Sequence, residues 1–253
     1  MKFFKSKILI FLVIIISLIC FGCGGKEASY KRTGKKLAQT YIKDKYGFDG
    51  EIVDVSLGTK DYAVNFWTTY SGKAFVKMKH DNREFTVYTD AENKKSQCYD
   101  NYQLPEIKAA VKSIITNHAG KEPAGFNFYY GEFLGTIDKD NGLINDYFDG
   151  NNLDELFKKD ITRIMSIIEF TGDIDLNKFN DLRLSNTSNE KLLFVNYKNP
   201  DAMKKTTTHT YYILEKSQSH YLYENSAYIK EAKFIDNGTV KDYSLDNEAE
   251  NHW

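Results

Sequence analysis

Hydrophobic positions along this chain form one unbroken run, a few stripes at helical spacing, and many short alternations. The run is Ile8 to Ile19, interrupted only by Ser17. Behind it, residues 30–46 place Leu37, Ala38, Tyr41, Ile42, Lys45 and Tyr46 on one face at 3.6-residue spacing, which predicts an amphipathic helix closed by Gly47. Alternation with a period of two predicts strands over 51–57, 61–68, 73–79 and 84–89, with Asp81-Asn82 as a two-residue hairpin turn between the last two. A second helix is expected over 104–118, with Pro105 in its first turn, Ile107, Val111, Ile114, Ile115 and His118 on one face, and Gly120 at its end.

Gly120 to Gly125, with its charged pair and Pro123, reads as a module boundary. Phe126–Leu134 is an aromatic strand. Leu153, Leu156, Phe157, Ile161, Ile164, Met165 and Ile168 then predict a helix over 153–169, capped by Asn152. A short helical stretch over 175–182 follows, and then strands over 191–197, 207–214, 220–224, 228–235 and 239–243. Asn237-Gly238 between the last two is a type I′ hairpin signal, because both central residues need positive φ. The expected fold is α+β, with helices packed on antiparallel β-meanders in two modules. The expected segments are 1–22 (signal peptide), 23–29 (flexible tether), 30–122, 123–245, and a polar tail from 246 to 253. The order of the first module, helix, meander, helix, resembles the small cystatin-like or PepSY-like modules of exported bacterial proteins.

The apolar run is too short to span a hydrocarbon core of roughly 30 Å comfortably. It follows Lys2, Lys5 and Lys7 and ends in small residues, the layout of a secretory signal peptide. Residues 17–25, Ser-Leu-Ile-Cys-Phe-Gly-Cys-Gly-Gly, resemble a bacterial lipobox. Gly22 stands before Cys23, and Cys20 stands where Leu is usual. The resemblance covers residues 1–25. It implies cleavage between Gly22 and Cys23, diacylglycerol on the Cys23 sulfur, and a place on the outer face of the bacterial cytoplasmic membrane. Two acyl chains anchor stably where one is marginal.

Three cysteines fit that expectation, since Cys20 leaves with the signal, Cys23 carries lipid, and Cys98 is left without a disulfide partner. Loss of Lys2, Lys5 and Lys7 takes the formal charge from −1 to −4, so a nucleic-acid partner is not expected. Lysines outnumber arginines 30 to 4, a bias of AT-rich codons that suggests a low-GC Gram-positive host.

Asp138, Asp140 and Asp149 imitate a calcium loop, but Gly142 falls at position five where an EF-hand bends at six, and position twelve is Asp. A polar turn is the expected reading, with calcium the alternative. The five histidines show no zinc spacing, and no nucleophile elbow, phosphate loop or dinucleotide fingerprint is present. No cofactor is expected. The remaining lead is aromatic. Tyr129, Tyr130, Tyr211, Tyr212, Tyr221 and Tyr223 crowd predicted strands, where neighbours point to opposite faces. One of each consecutive pair then offers a surface for a ligand or partner, unless both faces are covered. The leading expectation is a non-enzymatic binding or regulatory module working through an envelope protein. A glycan- or peptide-binding lipoprotein is the first alternative and an envelope enzyme the second.

Overall fold

Helix α1 (residues 25–46) buries Gly34, Ala38 and Ile42, one residue per turn, and exposes the opposite side. The computed structural model describes residues 25–60, 69–131, 143–158, 163–184, 190–205, 222, 225 and 227–243. Residues 25–29, expected as a flexible tether, are therefore the first turn of α1. The predicted strand over 61–68 and the predicted strand over 207–214 lie outside the described residues. The chain divides into two compact units, Met1–Asp100 and Asn101–Trp253.

In the first unit, β1 (Glu51–Lys60), β2 (Thr69–His80), β3 (Arg83–Asp90) and β4 (Tyr99–Asp100) form an antiparallel sheet in that order. Period-two patterning sets its register: Ala74 faces Thr89, Val76 faces Val87 and Met78 faces Phe85, and all six side chains are buried. Asp81 takes φ 51° at the tip of the β2–β3 hairpin. Helix α1 approaches this face closely at Gly34, where a Cβ would come within 2.7 Å of the Ala74 Cβ. Edge strand β1 carries two bulges, at Ile52/Asp54 and Leu57/Thr59, which break the regular ladder that an edge would otherwise offer to another chain.

In the second unit, β5 (Gly125–Gly131), β6 (Arg163–Thr171), β7 (Glu190–Tyr197), β8 (Ile229–Asp236) and β9 (Thr239–Tyr243) form a five-stranded sheet in chain order. β6 and β7 are parallel and the other pairs antiparallel, so this sheet is not the pure meander expected. Both of its faces are covered. One packs against α2 (Leu104–Ala119), whose Leu104, Ile107, Val111, Ile115 and Ala119 meet Phe128, Ile168 and Phe194. Apart from Ala119, each of these side chains contributes about 1.5–3 kcal/mol of burial. Helix α2 thus belongs to the second unit, although element order placed it in the first. The other face buries Tyr129, Ile167, Leu193, Val195 and Tyr197 near α4 (Pro200–Met203).

The helix expected over 153–169 is a correction. Among the described residues of that range only α3 (Leu153–Leu156) is helical, and Arg163–Thr171 is the interior strand β6. A strand buried on both faces is a continuous apolar run, and such a run also fits a helical stripe. Gln103 joins the start of α2 to the segment before α3. Its amide donates to Phe148 O (2.7 Å), and its carbonyl accepts from Phe148 N (2.8 Å).

Candidate functional site

Tyr129 and Tyr130 point to opposite faces as predicted, yet each is only 1% exposed. The Tyr130 hydroxyl donates to Leu156 O (3.0 Å), and its ring meets Phe157 edge-on at 4.9 Å. Because both faces of the sheet are covered, this pair offers no ligand surface, and the expectation is corrected for these two residues. Tyr211, Tyr212, Tyr221, Tyr223, Gly22, Cys23, Asp138 and Asp140 lie outside the described residues. Asp149 shapes a turn: its Oδ1 accepts from the backbone amides of Asn151 (2.8 Å) and Asn152 (2.9 Å), at the entry to α3. Among the described residues no group of three or more His, Cys, Asp or Glu could hold a metal ion, and no helix is long and apolar enough to cross a membrane. Cys98 is partly buried, and burial pushes its thiol up to about 11.

In the first unit three partly buried side chains of α1 converge on Asp100, which has no exposed surface. Lys45 Nζ lies 2.7 Å from Oδ2. The Tyr41 hydroxyl donates to the same oxygen (2.8 Å), and the Tyr46 hydroxyl to Oδ1 (2.8 Å). Lys45 also sits over the Tyr41 and Tyr46 rings, at 5.3 and 5.0 Å from their centroids. Burial, with the Asp100 charge beside it, raises the Tyr41 phenol far above its ordinary value. Three side chains from one end of α1 thus converge on the last residue of β4. The arrangement holds charge in place: both carboxylate oxygens are occupied, and the ammonium is shielded by rings. The sequence carried one signal of it, a lysine on the predicted buried stripe of α1.

The second unit holds an open cleft of about 600 Å³, lined by Ala119, Gly120, Lys121, Asp173, Ile174, Asp175, Lys178 and Lys230. Helix α2 ends there in Gly120, whose φ of 71° is left-handed. The cleft's far wall is the loop after β6 and the 3₁₀ turn Leu176–Phe179, capped by Asp175, which accepts from Asn177 N (2.9 Å). Lys121 donates to Thr171 O (2.6 Å) and Lys178 to Ala119 O (3.3 Å), while Lys230 stands 3.7 Å from Asp173. The His118 ring nitrogen Nε2 meets the Lys178 carbonyl and reinforces the wall. Three cations and two carboxylates around two apolar side chains, Ala119 and Ile174, suit a zwitterionic or peptidic ligand better than a stacked sugar ring.

Two buried polar residues lie deeper in this sheet. Glu169 is 5% exposed and accepts from the Tyr197 hydroxyl (2.9 Å). Burial raises its carboxyl, and the Tyr197 hydrogen bond opposes the rise. Lys233 is 1% exposed and donates to Asn177 Oδ1 (3.2 Å) and to Asn180, tying β8 to the 3₁₀ turn. Strand alternation did not reveal Lys233, because a lysine in a strand reads by default as solvent-facing.

No protein-family model matches the chain, and no curated protein matches it. A solved structure, a DUF5037 family protein from Ruminococcus gnavus ATCC 29149, is similar at 13% identity and a TM-score of 0.32. The match covers 83% of this chain and 94% of that one.

Proposed function

We propose that this protein is a bacterial lipoprotein held by diacylglycerol on Cys23 at the outer face of the cytoplasmic membrane, and that its two α+β units act as a binding or regulatory module for an envelope partner. One observation carries the reading: the run Ile8–Ile19 after three lysines, closed by Gly22-Cys23-Gly24. Support comes from the helical state of residues 25–29, which leaves almost no slack between Cys23 and the first unit. A body tied so closely meets partners at the membrane surface. The test is cross-linking on intact host cells, with Cys23→Ala as the unanchored control. A specific protein partner that disappears with the anchor supports the reading. A wild-type chain found free of membranes overturns it.

The cleft in the second unit favours a second reading, in which the lipoprotein captures a short peptide. Its three lysines and two aspartates, in a cleft open to solvent beside Ile174, are the observation behind it. A thermal-shift panel of peptides and sugars separates the two: stabilisation by a peptide, lost in Lys230→Gln, favours capture.

A further inference from the structure

Helix α1 is amphipathic in charge as well as in hydropathy. Gly34, Ala38 and Ile42 set its buried side. At 100° per residue the opposite side carries Ser29, Arg32, Lys36, Gln39, Thr40 and Lys43, all exposed. Lys26 and Asp44, both exposed, lie within the same arc, so that side holds four cations (Lys26, Arg32, Lys36 and Lys43) and one carboxylate, and Lys35 flanks it. Lys43 is engaged with Asp49 (2.9 Å) and Lys31 with Glu27 (2.7 Å). Among the described residues Arg32, Lys35 and Lys36 have no ion-pair partner. Of the acidic residues of α1, Glu27 lies toward the buried side, and Asp44 lies on the outer side about two turns beyond Lys36.

Resting on the anchor reading above, we propose that α1 lies along the membrane and presents Arg32, Lys35 and Lys36 to anionic phospholipid headgroups. Two arguments select this occupant. The first is continuity: the chain is helical from residue 25, the second residue after the proposed lipid-bearing Cys23, so the membrane is the surface nearest to this patch. The second is range. Attraction to an anionic leaflet falls off within a Debye length, about 8 Å at physiological salt. On a helix rising 1.5 Å per residue, Lys36 sits about 16 Å from residue 25 along the axis. An upright helix would hold Lys36 outside the attractive layer. A helix lying flat with its outer side down brings all three cations into it and leaves the sheet on the side away from the lipid. Lys77 and Lys79 of β2 lie on the other face of that sheet and stay in water.

The test uses the full lipidated protein in vesicles of phosphatidylcholine alone or of phosphatidylcholine with phosphatidylglycerol. Lysines are acetylated with a water-soluble reagent and read by mass spectrometry. Expected is a several-fold fall in labelling of Lys35 and Lys36 in the anionic vesicles, reversed by high salt, with Lys77 and Lys79 unchanged. In the doubly substituted Arg32→Gln, Lys36→Gln protein, whose changes are exposed, the protection of Lys35 is lost while the protein stays on the vesicles. Equal labelling in the two vesicle types overturns the proposal, as does protection shared by Lys77 and Lys79. The same digest reports the Cys23 peptide. A lipidated Cys23 with equal labelling overturns the orientation alone, and an unmodified Cys23 overturns the anchor and the orientation together.

Discussion

Lys45 of α1 and Asp100 of β4 form a buried ion pair of 2.7 Å, with side chains 8% and 0% exposed. Breaking one partner of such a pair leaves an uncompensated charge, at a cost of about 3–5 kcal/mol. Asp100→Ala is therefore expected to destabilise the first unit by that amount, read as faster hydrogen exchange of the α1 amides. Replacing both residues with apolar ones of similar volume is expected to cost much less than the single change. A near-neutral Asp100→Ala would show that the pair contributes little.

Gly34 stands mid-helix, where alanine is ordinarily favoured by about 1 kcal/mol. Here a Cβ would meet the Ala74 Cβ at 2.7 Å, a backbone-fixed atom with no rotamer to move. Overpacking of this kind costs about 1–3 kcal/mol. Gly34→Ala is thus predicted to lower the urea midpoint, and a rise would mean that α1 slides off β2 without penalty.

These two contacts mark how far the sequence alone reaches. Helices α1 and α2, the turns at Asp81-Asn82 and Asn237-Gly238, and strands β2, β3 and β7–β9 follow from local periodicity and turn chemistry, which a linear chain displays directly. Strand β6 was hidden because Ile164, Met165, Ile167 and Ile168 are buried whichever way they point, so the period that separates strand from helix is erased. The affiliation of α2 and the burial of Tyr129 depend on which surfaces cover the second sheet, a long-range outcome with no local signature. Lys233 and the cleft at Gly120 are set by the loop after β6 folding back onto β8, which no spacing encodes.

Glu169 gives a pH signature. Its folded-state carboxyl is raised above the unfolded value, so the native state binds the proton more tightly. Stability then falls as pH rises from the ordinary carboxylate value toward the raised one, and is flat in this group below that window. Glu169→Gln keeps an oxygen to accept from Tyr197 and removes the charge. The variant is predicted to lose this segment of pH dependence and to match or exceed the wild type at neutral pH. Denaturation curves from pH 4 to 8 check it, and a less stable Gln variant with the slope intact would contradict it.

Cys98 has its thiol raised to about 11 by burial, and the thiolate is the reactive form. Alkylation at pH 8 is expected to be at least tenfold slower in the folded protein than in urea. Equal rates would place the thiol in water.

The anchor is the central claim, and mass spectrometry of the amino-terminal peptide from the host's membrane fraction tests it most directly. The account predicts a chain that begins at Cys23 and carries diacylglycerol on its sulfur, with Cys23→Ala protein lost from the membrane. A chain that keeps residues before Cys23, or one with an unmodified Cys23 thiol, would contradict it.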